Sequence, residues 1–563
     1  MLRRNSVGLL IGAMFCLQPS VAESAAPQAT GLFPRGGQVG STVAVTVSGK
    51  LAKGDQIHCD RAGVSGEITE DGTKATITIA DSAAPGLYWL RFFNAEGAAS
   101  PVPFVVGRLP EVAEAEPNAT PDKAQPLAAS SVINGKLSES EDTDIFSIKV
   151  PAGRTLVASV DANWRLGSPV DPVMQLLNED GVVLTQIDDD RGNDPLIAWP
   201  CEKETTLLVR LFGFPAAPNS SIRFSNSADY VYRLTVTTDA WPDHLLPSAV
   251  QPGQETNLSI AGWNIPEPLK SFTIAASPVD TDFVGTTEFA HADLAVELPL
   301  QRVAHPVLTA AEPCSLEMPL QVAEKPVTVC GVIDQRDDED SIQLTVTKGE
   351  KLVFRVESRV DGHALDAVIR IFNQEGKLLS ESDDASRDVF DPVAKFTAPA
   401  DGPIRVSVTD RFGLGDWRYA YRLHVEPLVP TIAATLKADN FVLTPGTPLE
   451  IPVTIARNDG FAEEVEFAAT ALPEGVTCEV VKSEAKGDTS KAVTLKLTIS
   501  ETVAASSRAI HIVGRWGESG QVSATADLAG GQVKIENPWL TVLAPAKKEE
   551  AKAEEKKADD KAE

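Results

Sequence analysis

The side chains that come closest to a reactive or ligand-binding constellation are acidic. Asp188-Asp189-Asp190, followed by Asn193 and Asp194, crowds oxygen-bearing side chains into one short run. Calcium takes about six to eight oxygen ligands, and the run lacks the alternate spacing and central glycine of an EF-hand loop. It reads as a solvated hairpin tip, where Asp and Asn are favoured for their local hydrogen bonds. Nucleophilic chemistry has a thinner basis. There is no G-x-S-x-G elbow, no H-E-x-x-H and no P-loop. Ser483-Glu484-Ala485-Lys486 satisfies S-x-x-K, but no S-D-N or K-T-G follows it. His58, His244, His291, His305, His363, His424 and His511 are scattered, none paired at ligand spacing. His424 falls in a period-two strand and reads as structural or surface. A glycosidase pair of carboxylates can lie far apart in sequence, and among 79 acidic residues no pair stands out. These patterns give no catalytic residue, and the expectation is a protein that is not an enzyme.

Six cysteines are present, one of them, Cys16, near the N-terminus. No C-x-x-C occurs, so zinc ribbons and thioredoxin-type chemistry lack their ligand spacing. Cys314 and Cys330 are close enough in sequence to staple one loop as a disulfide. Cys59, Cys201 and Cys478 read as small buried residues.

Whatever these side chains do, β-strands must position them. Thr42-Val43-Ala44-Val45-Thr46-Val47-Ser48 alternates with period two, as do Ile145 to Val150, Val231 to Val236, Ile342 to Val346 and Val493 to Ile499. Each run is rich in β-branched residues and bounded by Gly, Pro, Asp or Asn, the pattern of antiparallel sandwiches. The 563 residues exceed one hydrophobic core, and roughly 100–200 residues per domain implies several. Lys+Arg 50 against Asp+Glu 79 gives a net charge of −29. That balance excludes nucleic acid as an expected partner and disfavours an anionic membrane surface, because both need clustered cations.

The N-terminus reads as a secretory signal: Arg3 and Arg4, an apolar run from Val7 to Leu17, then Ser20-Val21-Ala22 before Glu23. The run is shorter than the roughly 20 apolar residues that span a bilayer, and no later segment is apolar for long enough. A mature chain without a transmembrane segment, exported to the periplasm, the cell surface or the medium, is expected.

An internal repeat organises the chain. Gly135, Asp144 and Gly153 recur 196 positions on as Gly331, Asp340 and Gly349. Asp171, Asn178, Gly181 and Asp188-Asp189 recur at a shift of 195 as Asp366, Asn373, Gly376 and Asp383-Asp384. Tyr232-Arg233-Leu234 returns as Tyr421-Arg422-Leu423. Pro34, Gln38, Gly40 and Gly49 correspond to Pro247, Gln251, Gly253 and Gly262, all shifted by 213. A colinear set broken only by loop-sized gaps is a duplication of a small leading module followed by a larger sandwich. Late aromatics, Phe212 and Phe214 in the first copy and Trp417 and Tyr419 in the second, join Trp164, Trp199, Trp241 and Trp263 as candidates for stacking on sugars. Such positions more often fill a core, and core is the expectation.

The motifs Asp142-x-Asp144-x-Phe146, Pro151-x-Gly153, Ser168-x-x-Asp171-Pro172, Asn178-x-x-Gly181 and terminal Tyr232-Arg233-Leu234 resemble the bacterial pre-peptidase C-terminal (PPC) domain. Glu114-x-Glu116-Pro117-Asn118 looks like its opening motif. The leading modules, with Gly36-Gly37-x-x-Gly40 and Pro85-Gly86-x-Tyr88, are similar to the IPT/TIG immunoglobulin-like type. Their alternation resembles exported proteins of planctomycete-type bacteria. The resemblance covers about residues 31–427. Together with the N-terminal signal, the strand runs after 429 and the composition of the tail, it gives the expectation of an all-β, multi-domain chain of jelly-roll-like and immunoglobulin-like sandwiches: a signal peptide at 1–22, an IPT/TIG-like module at 23–110, a PPC-like sandwich at 111–240, a shortened leader at 241–306, a second PPC-like sandwich at 307–428, an immunoglobulin-like sandwich at 429–544 and a disordered Lys/Glu/Ala tail at 545–563.

The PPC-like domain is itself non-catalytic and in some members holds calcium near the opening motif. Carried over residue by residue, this implies Glu114, Glu116, Asn118, Asp142 and Asp144 as ligands. Ala119 stands where the family usually has an aspartate. In the second copy Ala310, Glu312 and Cys314 replace Glu114, Glu116 and Asn118, which puts a second calcium site in doubt. The resulting expectation is an exported string of binding or scaffold modules contacting protein or polysaccharide at the cell envelope. An accessory subunit of a secreted peptidase is one alternative. A hydrolase with its active site in residues 430–543 is another.

Overall fold

The computed structural model describes residues 25–139, 142–217, 227–275, 285–387, 389–500, 503–528 and 533–545. The expected signal at 1–22 and nearly all of the tail at 545–563 lie outside the described residues. Among the described residues the longest helices have four residues, and none is long and apolar enough to cross a membrane. The period-two runs are strands for the reason their pattern implies. In Ala492–Ile499, for example, Val493, Leu495, Leu497 and Ile499 turn inward while their neighbours meet solvent.

Each sheet is drawn from one of five stretches of chain, and the chain is all-β. The first stretch pairs a four-stranded with a five-stranded sheet between Gln28 and Gly107. Two sheets of three strands occupy Trp241 to Arg302. A nine-stranded and a three-stranded sheet enclose the last core between Thr431 and Val542.

The two large sandwiches between them match strand for strand. In the first, one sheet runs Glu111–Ala113, Ser131–Lys136, Val231–Thr237, Arg154–Asp161, Leu196–Cys201. Its partner runs Gln125–Leu127, Asp144–Val150, Thr205–Pro215, Val170–Asn178, Val183–Ile187. The second sandwich repeats this order from Val307–Thr309 to Val393–Thr397 and from Leu320–Val322 to Leu378–Ser382. Core residues correspond as well: Phe146, Ile148 and Leu234 become Ile342, Leu344 and Leu423. One feature departs from purely antiparallel pairing. The short first strand of every sheet in both sandwiches joins its neighbour parallel. The chain therefore enters along one edge of both layers before the meander begins.

Buried polar contacts lie between the modules. Arg91 of the first module and Asp439 of the last form a 2.8 Å ion pair with side chains only 5% and 9% exposed. Arg418 of the second large sandwich donates to both Asp190 oxygens, at 2.8 and 3.0 Å, and to Asp243 of the shortened leader at 2.9 Å. Asn264 of that leader bridges the Thr155 backbone, 3.0 Å from its N–H and 2.8 Å from its C=O. Removing one partner of a buried pair leaves an uncompensated charge and costs about 3–5 kcal/mol. Contacts of this kind make the modules a packed body, with its first and last members touching.

Candidate metal centre in the first large sandwich

The edge strand Glu111–Ala113 delivers Glu114, and a cis Glu116–Pro117 peptide then turns the chain back toward the strand Asp144–Val150. Three hydrogen bonds fix this loop. Asn118 N–H donates to Glu116 Oε2 at 2.8 Å, Ile145 N–H donates to the Asn118 carbonyl at 3.2 Å, and Lys136 N–H donates to Glu114 Oε2 at 2.6 Å. From the opposite strand, Tyr232 Oη donates to Asp144 Oδ2 at 2.6 Å. Gly135 explains its place in the repeat here, since a Cβ would collide with the Tyr232 hydroxyl and the Glu114 carboxylate.

The arrangement brings Glu114, Glu116 and Asp144 together, with carboxylate oxygens all within 4.8 Å of one another. It is the only group of three or more such ligands found among the described residues. Asn118 and Asp144 are fully buried, and Asn118 Oδ1 and Nδ2 and Asp144 Oδ1 have no hydrogen-bond partner. Burial, reinforced by the neighbouring carboxylates, pushes Glu114 up to about 7 and Asp144 up to about 9. Crowded and buried in this way, the carboxyls favour their protonated forms, and a divalent cation is one source of the missing compensation. The donors are all hard oxygens, the set calcium prefers.

Asp142 stands one step out. Its Oδ2 accepts from the N–H groups of Ser138 at 2.6 Å and Glu139 at 3.0 Å, capping the turn. Its charge still raises Glu114 and Asp144.

The second sandwich keeps the frame, with Glu312 and Asp340 in place of Glu116 and Asp144, and changes the other two positions. Tyr421 Oη donates to Asp340 Oδ2 at 2.7 Å, Gly331 lies under that hydroxyl, and Cys314 N–H donates to Glu312 Oε2 at 3.0 Å. Ala310 supplies no carboxylate in place of Glu114, and the Cys314 thiol donates to the Ser341 carbonyl at 3.2 Å.

The expected Cys314–Cys330 disulfide is corrected: both are free thiols. Strand alternation is the reason. Val327 and Val329 join Cys314 in the core, whereas Cys330 takes the opposite face and meets Ser248 Oγ at 3.8 Å. The two sulfurs lie on opposite sides of one sheet.

The acidic run around Asp188 is structural at two positions. Asp194 accepts from the N–H groups of Ala162, Asn163 and Trp164 at 2.7–3.0 Å, and Asp190 holds Arg418. Asp188 and Asp189 sit near Asp171, whose carboxyl burial and these neighbours push up to about 6. Ser483 is no nucleophile in this setting, since its hydroxyl donates to the Thr489 carbonyl at 2.7 Å and accepts from Arg457 at 3.0 Å. His424 is buried between Thr328 Oγ1 at 3.0 Å and Glu357 Oε2 at 3.1 Å. Among the aromatics, Trp241 is buried, and Trp263 and Trp417 pack edge to face with ring centroids 5.1 Å apart across a module boundary. Trp164 keeps 38% of its surface exposed.

Sequence reasoning missed the residues that join modules, Arg91, Arg418, Asp243 and Asp439. Their partners lie between 175 and 348 positions away, so no local pattern marked them. The tyrosine–aspartate bond was half visible, because both of its members belong to the repeat.

Fold and site together define a multi-module β-sandwich protein that carries, among the described residues, one group of three closely spaced carboxylates. No family model matches the chain, and no curated protein matches it. Solved structures that align with it include Sidekick-1 immunoglobulin domains 1–4, at 11% identity over 92% of this chain and 98% of that one, with a TM-score of 0.21. Fibronectin(III)-like modules of Clostridium thermocellum CbhA align at 15% identity over 36% and 94%, with a TM-score of 0.13. The M60 catalytic domain with two CBM51 domains of Clostridium perfringens ZmpB aligns at 9% identity over 74% and 56%, also with a TM-score of 0.13. At these scores the alignments carry no argument, and the fold class rests on the sheets described above.

Proposed function

We propose that this chain is an exported, non-catalytic binding or scaffold protein whose first large sandwich, of the PPC type, is stabilised by calcium. The observation that carries the metal assignment is the buried group Glu114, Glu116 and Asp144, beside an Asn118 side chain with no partner. Those four residues hold the ion, and Asp142 holds the turn behind them. The ion supplies charge compensation that ties the entering loop to the sheet. The binding role is supported by five packed modules that offer contact surface, without a nucleophile–base pair among the motifs read from the sequence. Its partners are protein or polysaccharide at the cell envelope.

Thermal melting with calcium and with a chelator tests the assignment. A ligand confined to the native state adds about 2.7 kcal/mol at a concentration 100 times its Kd. Calcium should raise the melting temperature of the wild type and leave Glu116→Gln unmoved. Glu312→Gln should respond like the wild type. Equal melting of the wild type with and without chelator sinks the proposed ion.

A further inference from the structure

Both large sandwiches end one sheet on an edge strand, Val183–Ile187 in the first and Leu378–Ser382 in the second. An edge strand shows unpaired N–H and C=O groups, and proteins guard such strands against added chains with charged side chains, lysine above all. The second copy is guarded. Lys377 stands at the head of its strand, beside the exposed Leu378, and Glu381 within it accepts from Arg370 Nε at 2.6 Å. At the shift of 195 these positions are Val182 and Gln186 in the first copy, and Ile187 replaces Ser382. The amide pair Gln175–Gln186, at 2.5 Å, takes the place of the ion pair. No charged residue is left between Gly181 and Ile187, and Val182, Val183 and Leu184 are 58%, 42% and 38% exposed.

The ends of the strand differ as well. Glu179 and Asp180 precede it and Asp188 and Asp189 follow it, all four exposed. None of the four is held in an ion pair among the described residues. In the second copy the matching Asp383 and Asp384 are both paired with Arg411, at 2.7 and 3.4 Å. The strand register puts Phe214 opposite Asp171, where the second copy has Arg411 beside Asp366, and so removes that cation.

We propose that the edge strand Val183–Ile187 takes up an extended peptide segment, apolar at its centre and with lysine or arginine at both ends, as an added strand of the sheet. This partner class rests on the binding role proposed above and narrows it to a peptide. Main-chain hydrogen bonds hold an added strand whatever its sequence, and side chains select it. Here apolar side chains meet Val183 and Leu184, and the cations meet the acidic pair beyond each end. A second copy of this chain does not fit. Pairing two such edges, in either direction, sets the acids of one against the acids of the other at both ends, and like charges directly opposite are destabilising.

The test is titration of the full chain with a synthetic peptide of alternating valine and threonine flanked by lysines, with melting curves to verify that each variant folds. The peptide should bind the wild type. Val182→Lys, which restores the guard of the second copy, should weaken it roughly tenfold by setting cation against cation. Asp188→Asn should weaken it less and should flatten its salt dependence. A peptide with glutamates in place of the lysines should bind far more weakly, and so should one with a central proline, which lacks a backbone donor. Equal binding of the glutamate peptide overturns the charge assignment, and equal binding of the proline peptide overturns the added strand. Unchanged affinity in both variants places the peptide elsewhere and overturns the edge. Dimerisation of the wild type that Val182→Lys abolishes makes a second copy the occupant and overturns the peptide. A wild type that binds no peptide overturns the inference. In that event envelope protein retained by the wild type in a pull-down leaves the binding role standing, and no retention removes that role as well.

Discussion

The two large sandwiches share a glycine, an aspartate and a tyrosine in one arrangement. Tyr232 reaches Asp144 over Gly135, and Tyr421 reaches Asp340 over Gly331. Around that frame they diverge. The first copy surrounds its aspartate with Glu114, Glu116 and an Asn118 whose side-chain amide has no partner; the second offers Ala310, Glu312 and a thiol turned to a backbone carbonyl. Duplication kept the hydrogen bond that locks the two sheets together and left the ligand shell free to change. The repeated aspartate serves the frame in both copies, and the copies differ where Glu114 and Asn118 face Ala310 and Cys314.

The frame itself is the place to press hardest. Gly135→Ala and Gly331→Ala should each cost about 3 kcal/mol in urea unfolding, because the added methyl meets a pinned tyrosine. A tolerated alanine in either copy would show that the hydroxyl is not held where the shared frame requires.

Tyr421→Phe should cost about 1–3 kcal/mol by leaving Asp340 buried without its donor. With calcium present Tyr232→Phe should cost less, since the ion still serves Asp144. Equal losses in both copies would erase the proposed difference between them.

A smaller effect separates the copies by pH. Burial holds Glu114, Asp144 and Asp340 at about 7, 9 and 8, above their values in an unfolded chain. The native state then keeps protons that the unfolded state has released, so stability is full at acid pH and falls as pH rises through these values. In chelator the melting temperature should drop by several degrees from pH 5 to pH 9. Calcium should flatten the part owed to the first copy, and Asp340→Asn should remove much of the rest. A flat profile in chelator would contradict the buried carboxyls.

The least effect is expected from reductant. Dithiothreitol should leave the melting temperature unchanged, and thiol titration after denaturation should find Cys314 and Cys330 both reactive.

Much of the fold was legible in the sequence, and less of the site. Period-two runs such as Ala492–Ile499 announced their strands because one face of each is buried. The colinear shifts announced the paired sandwiches. The ligand set was drawn along the chain as five residues. The structure gathers three carboxylates, places Asn118 beside them and sets Asp142 to capping a turn. Spacing could not show that Cys330 faces away from Cys314, since a difference of one residue in a strand reverses the side.

Alternation, turn chemistry and repetition were enough to fix the all-β class and the matched pair of sandwiches, because each depends on neighbours within a few residues. Only the assembled chain decided that Arg91 meets Asp439, that Arg418 joins Asp190 to Asp243, and that the modules close into one body. Those charges find their partners through packing between cores, and no local pattern encodes a contact made across hundreds of residues.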